Sequence, residues 1–211
     1  VLERGLAQKS GLGWIGKNAM LINPKAGSYF FLGELFTDLP LPIDTPYDDM
    51  NCGSCTACIT ECPTGAIVDN HVVDGRKCIS YLTIELKEAI PEDLRSKMGN
   101  RIFGCDDCQL YCPWNKFSSP SAETDFTPRH NLDTITLLEL FTWDEATFLS
   151  KTEGTPMRRS GHELWMRNIA VALGNADHSQ DIITALENKL SMDSDLVTEH
   201  VEWALARQKN R

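Results

Sequence analysis

The spacing of apolar positions divides the chain into three stretches. In the first, "VLERGLAQKS" places its apolar side chains as a helix does, and Gly11 offers a C-terminal stop. "NAMLIN", a "PKAG" turn and "SYFFLGELFTD" then read as a hairpin. In the middle, "KCISYLTIELKEAI" is apolar at Ile79, Leu82, Ile84, Leu86 and Ile90, which predicts a helix ending before Pro91. "PEDLRSKMGN" predicts a short helix with Pro91 in its first turn and Gly99 near its end. After the polar, proline-bearing residues 118–131, helical spacing takes over. "TLLELFTWDEATFLSK" carries Leu137, Leu138, Leu140, Phe141, Phe148 and Leu149, with Asp144 placed to begin a second helix. "GHELWMRNIAVALGN" presents a broad apolar face, and "DIITALENKL" and "DLVTEHVEWALARQ" complete a stack of helix pairs of the HEAT type.

Composition narrows the class. At 42% hydrophobic, 211 residues can bury a substantial core, while the longest apolar runs, such as "YFFLGELF", fall far short of a membrane span. With no charged-then-apolar leader, the expectation is a cytoplasmic protein. The chain opens at Val1 in mid-helix pattern, which suggests that an upstream portion is missing. Twenty basic against thirty acidic residues give a net charge of −10, so any contact with nucleic acid must be local. "GLGWIGK" satisfies G-x-G-x-x-G, but that fingerprint must follow a strand and open a helix, and here the order is reversed.

Eight cysteines lie between positions 52 and 112, a crowding that favours metal over disulfides. "CGSCTACITECP" spells C-x2-C-x2-C-x3-C-P, the iron-sulfur run in which three thiolates face one cluster and the fourth leaves for a neighbouring one. "GCDDCQLYCP" repeats its end without the first cysteine. Crosswise sharing of two 4Fe-4S clusters then assigns Cys52, Cys55, Cys58 and Cys112 to one, and Cys62, Cys105 and Cys108 to the other. Only Cys78 remains as the last ligand. The regular pattern would put it at Ile102, so the 26 residues between Cys78 and Cys105 form an insertion. Two four-thiolate zinc sites are the competing use of these cysteines, although zinc usually shows paired C-x2-C units. In the tail, "PMRRSGHELWMRN" brings Arg158, Arg159, His162, Trp165 and Arg167 into one neighbourhood; arginine forks beside an aromatic ring suit phosphate and base contact, and a solvated arginine face over a core tryptophan is the alternative.

The succession "LERGLAQKSGLGWIGKN", "GSYFFLGELFTDLPLP", the eight cysteines with one displaced, and "PMRRSGHELWMRNIAVALGN" resembles the epoxyqueuosine reductases over essentially the whole chain. The cysteine pattern alone also admits corrinoid reductive dehalogenases or a plain electron-transfer module. The resemblance implies an α+β chain in three parts: residues 1–46 ending a cobalamin-binding α/β domain, 47–117 a ferredoxin-like domain with two 4Fe-4S clusters, and 118–211 a linker and HEAT-like helices. It implies an oxidoreductase that reduces epoxyqueuosine to queuosine in a tRNA anticodon loop with cobalamin, fed by an unidentified electron donor, and acting as a monomer off the membrane. By family position Lys17, Ser28 and Asp106 approach the cobalamin, Arg158, Arg159 and Arg167 the RNA, and the catalytic acid lies upstream of Val1.

Overall fold

The computed structural model describes residues 2–210, which fall into two compact units: residues up to Gly75 with Asp106–Ala122, and Arg76–Cys105 with Glu123 onward. The sequence boundaries follow motif and composition, whereas these units follow packing. The insertion between Cys78 and Cys105 accordingly groups with the helical tail rather than with most of the cysteine motif.

In the first unit, α1 (Glu3–Lys9) ends as expected at Gly11, whose φ of 75° lets its N–H and that of Leu12 turn back onto the carbonyls of Gln8 and Ala7. The hairpin that follows differs from the expected one. Strand β2 (Leu21–Ile22) pairs antiparallel with β1 (Trp14–Ile15) upstream of it, with Trp14 opposite Ile22, and not with residues 28–38. Gly13 permits this pairing, because a Cβ there would stand 2.0 Å from the carbonyl oxygen of Ile22. Of the glycines of "GLGWIGK", Gly11 therefore ends the helix, and Gly13 and Gly16 serve a tight hairpin. Residues 28–38 form no strand, and Phe31, Leu35 and Phe36 are exposed. Their β-prone composition has no neighbouring strand to hydrogen-bond, and an extended segment gains little without one. Helix α2 (Ala57–Thr60), strands β3 (Ile67–Asp69) and β4 (Val72–Val73) and helix α5 (Asp107–Leu110) complete the unit around Trp14, Leu21, Ile22, Ala66 and Ile67.

The second unit is helical. The insertion supplies α3 (Ile79–Ile84) and α4 (Glu92–Arg95), the latter ended by a 3-10 turn and by Gly99 at φ 60°. The tail supplies α6 (Leu137–Phe141), α7 (Glu145–Lys151), α8 (His162–Asn175), α9 (Gln180–Lys189) and α10 (Asp195–Lys209). Asp144 caps α7 by accepting the Thr147 N–H at 2.8 Å, as the sequence predicts. Helix α8 is buried on every side from Leu164 to Gly174 and forms the axis of the core, packed by α6, α7 and α10.

That axial burial overturns the expectation for Arg167. Its side chain is fully buried, and its guanidinium donates to the carbonyls of Leu82 (2.6 Å), Leu86 (2.8 Å) and Glu88 (2.7 Å) and to the Asn168 side chain. Asn168 in turn donates to the Thr83 and Ile102 carbonyls, both at 2.8 Å. The two side chains cap the end of α3, where helix carbonyls lack internal partners. A group so enclosed does not reach RNA. Burial pulls the Arg167 pKa down to about 10, still charged at neutral pH. His200 on α10 adds a further tie, since its Nε2 accepts the Ile90 N–H at 3.1 Å.

Arg167→Leu removes the donor of the Leu82, Leu86 and Glu88 carbonyls, the first of them buried, and should cost about 3 kcal/mol in chemical denaturation, whereas Arg159→Ala, which breaks the exposed pair with Glu85, should cost less than about 1 kcal/mol. Burial, first, and the charges of Arg95 and Arg167 hold the His200 pKa down to about 4 against the Leu196 carbonyl and Glu199, which act the other way. The unfolded chain therefore binds the extra proton between pH 6.5 and about 4, and the contribution of neutral His200, full above pH 6.5, is lost as pH falls through that window. The loss amounts to about 3 kcal/mol, and His200→Gln should flatten the unfolding midpoint across the window.

Candidate iron-sulfur site

Each cysteine loop of the first unit is built the same way. Cys58 rides on the single turn of α2, between Cys55 and Cys62, and Cys108 rides on the single turn of α5, between Cys105 and Cys112. Both turns begin at a residue with nearly the same backbone angles: Thr56 at φ −128°, ψ 13°, and Asp106 at φ −113°, ψ 13°. Proline follows each last cysteine, and Pro113 starts a 3-10 turn through Phe117. The local repeat seen in the sequence is thus a repeat of conformation, and α2 and α5 pack together.

Cys52, Cys55, Cys58 and Cys112 line one cavity of about 300 Å³, together with Lys17, Asn18 and Trp114. This is the first ligand set expected from crosswise sharing. Burial and the neighbouring cysteines push the Cys58 thiol above its ordinary pKa, and burial does the same to Cys112 against the N–H groups of Trp114 and Asn115. Crowded, partly desolvated thiols resist ionisation by themselves; coordination to iron reverses that, because a bound cation deprotonates its thiol ligand. Four soft donors around a cavity this size suit a polynuclear iron-sulfur centre. Of the other four cysteines, Cys62 and Cys108 belong to the first unit and Cys78 and Cys105 to the second. Cys62 accepts the Ala66 N–H at 3.2 Å, and Cys78 is the residue from which α3 begins.

Lys17, Ser28 and Asp106 occupy distinct settings. Lys17 donates to the carbonyls of Gly53 (2.8 Å) and Cys55 (2.9 Å), and the adjacent Asn18 donates to that of Cys108 (3.0 Å), so these neighbours fasten both cysteine loops. Ser28 is buried, its hydroxyl donating to Gln109 Oε1 at 2.9 Å and accepting from Asn115 Nδ2 at 3.0 Å. The Gln109 amide then donates to Asp106 at 2.8 Å. The structure therefore joins Ser28 and Asp106 through Gln109, with the Asp106 carboxylate exposed and the Ser28 hydroxyl turned inward. Sequence reasoning missed Gln109, Asn115 and Trp14; Gln109 and Asn115 could have been suspected from their places inside and just after the second cysteine loop, but Trp14 carries no local signal.

In the helical unit, Arg158 and Arg159 are exposed on a 3-10 turn, Pro156–Arg159, that precedes α8. Trp165 is 1% exposed and His162 bonds the Trp143 carbonyl at 2.8 Å, so both are used by the core. Of the five residues the sequence grouped, two face solvent as arginines.

Residues 51–115 match the 4Fe-4S double cluster binding domain family. The chain is 62% identical to an epoxyqueuosine reductase of Xanthomonas campestris over 207 residues, covering 98% of this chain and 58% of that protein. It is 57% identical to that of Escherichia coli, covering 100% of this chain and 55% of that one. Among solved structures it is similar to epoxyqueuosine reductase from Bacillus subtilis, captured with its catalytic aspartate loop swung out of the active site (TM-score 0.88, 32% identity, covering 98% of this chain and 55% of that one). It is also similar to an epoxyqueuosine reductase bound to an epoxyqueuosine-modified tRNA stem loop (TM-score 0.80, 29% identity, covering 98% and 63%). The chain spans a little over half the length of the curated relatives it matches; along nearly all of its own length it is similar to epoxyqueuosine reductases, and its residues 51–115 match the 4Fe-4S double cluster binding domain family within a helix-rich α+β fold.

Proposed function

We propose that this chain forms the iron-sulfur and helical portion of an enzyme that reduces epoxyqueuosine to queuosine in the anticodon loop of tRNA. The observation that carries the reading is the set Cys52, Cys55, Cys58 and Cys112 around one cavity, in a chain related along its length to reductases of that name. The reaction removes the epoxide oxygen as water, taking up two electrons and two protons to leave an alkene. Iron-sulfur clusters suit the electron part, since each passes one electron at a time without breaking a bond.

In this reading the first cluster is held by Cys52, Cys55, Cys58 and Cys112, and the second by Cys62, Cys78, Cys105 and Cys108. Residues 1–46 close a cobalamin-binding domain, 47–117 carry the clusters, and 118–211 form a HEAT-like support. Cobalamin, when bound, supplies a reduced cobalt centre able to act on the epoxide carbon. The residues this chain offers it are Lys17, which lines the cavity, and the exposed Asp106. Ser28, whose hydroxyl is engaged by Gln109 and Asn115, serves by fixing that neighbourhood. Arg158 and Arg159 contribute phosphate contacts to the stem loop, a role supported by their exposure and by the relative solved with its tRNA stem loop. The remaining expectations, a cytoplasmic monomer served by a separate electron donor, stand with this reading, and no helix among the described residues is long and apolar enough to cross a membrane.

Anaerobic reconstitution should yield about eight iron atoms per chain, and Cys78→Ser should lower this to about four while sparing the other cluster's spectrum. Zinc at about two per chain without iron would sink the redox reading. Arg158→Ala with Arg159→Ala should weaken binding of an epoxyqueuosine-modified stem loop and reduce the slope of log affinity against log salt by about two; an unchanged slope removes these arginines from the interface.

A further inference from the structure

The indole of Trp14 is fully buried, and its Nε1–H points at Cys52 Sγ, 3.4 Å away. Two rings hold it in that pose: Tyr47 stacks on it with centroids 5.7 Å apart, and Trp114 meets it edge-on at 4.9 Å. Trp114 is itself tied to the Asn51 carbonyl at 3.2 Å, next to Cys52 in sequence. The indole can neither rotate away nor reach water, so the thiolate is the acceptor its N–H is given. This contact comes from outside the cysteine motif, from a strand 38 residues upstream of Cys52.

We propose that Trp14 tunes the reduction potential of the cluster held by Cys52, Cys55, Cys58 and Cys112, raising it and so making that cluster easier to reduce than it would be without the indole N–H. The inference rests on the iron-sulfur reading of these cysteines. When one electron enters the cluster from an external reductant, no bond forms or breaks, and one negative charge is added to the iron, sulfide and thiolate unit. A donor aimed at a ligand sulfur stabilises the reduced form more than the oxidised one, because the sulfur carries part of the added charge. Burial strengthens the effect, since water does not screen the N–H dipole there. Trp14 is a positioning residue in this sense, acting on the cluster through Cys52.

The test is a redox titration of the anaerobically reconstituted full chain with dithionite through viologen mediators, followed by electron paramagnetic resonance. Wild type is compared with Trp14→Phe and with a chain carrying benzothienylalanine at position 14, which keeps the shape and stacking of the indole but lacks the N–H. Both replacements should shift one midpoint downward by about tenfold in the reduced-to-oxidised ratio, or 59 mV for one electron, and leave the other midpoint unchanged. Should Trp14→Phe lose iron through poor packing, the benzothienylalanine chain still reads the hydrogen bond alone. Unmoved midpoints, or equal movement of both, overturn the role of Trp14 while leaving eight-iron chains and the cluster assignment intact. A wild-type chain that takes up no iron overturns both.

Discussion

The buried Arg167 guanidinium is the interaction on which the helical unit depends. A charge enclosed in an apolar core is tolerated only when its donors are matched, and here they are matched by carbonyls at and beyond the end of α3. Those carbonyls belong to the insertion, so the helix axis of the tail and the segment between Cys78 and Cys105 cannot be packed separately. Asn168, His200, Asn175 and the Arg95–Glu199 ion pair repeat the same arrangement along the insertion. The apolar contacts of Ile79, Leu82, Ile90, Leu94 and Met98 with Val171 supply the burial, while the polar ties select one register for it.

This construction accounts for what the displaced cysteine requires. A cysteine inside a regular C-x2-C-x2-C loop is placed by the loop itself, as Cys52, Cys55 and Cys58 are. Cys78 has no such loop. It precedes α3, and Cys105 follows the segment that Asn168 holds at Ile102, so both cysteines take their positions from α8. A helical tail that serves only to bind a partner would not need its central helix buried on all sides and spent on the cluster domain's insertion. Rigidity delivered to Cys78 and Cys105 is a reason for that burial.

The legible parts of the sequence were those in which the chemistry is local. The cysteine run, the capping Asp144 and the Gly11 stop each act within a few residues, and the helices of the tail are long enough for their period to declare itself. The hairpin partner was misjudged because alternation marks a strand's composition and says nothing about which neighbour is present; β1 is only two residues long and too short to show a period. Arg167 was misjudged by proximity to Arg158 and Arg159. The signal that would have separated it lies in the flanking residues: from Leu164 to Gly174 every position but Arg167 and Asn168 is apolar or glycine, so the helix offers no polar face on which an arginine could be solvated.

Trp14 shows the same limit from the other side. Its role needs two facts the sequence does not juxtapose, the hairpin that buries the indole and the loop that brings Cys52 to its edge. Thiolates can be counted from a motif, because ligation is set by spacing. A potential cannot, because it is set by dipoles that arrive from anywhere in the fold. The division of labour in this chain follows from that difference: a short repeated loop supplies the cysteines, and residues far from it in sequence, Trp14 in one unit and Arg167 in the other, shape the surroundings in which those cysteines are held.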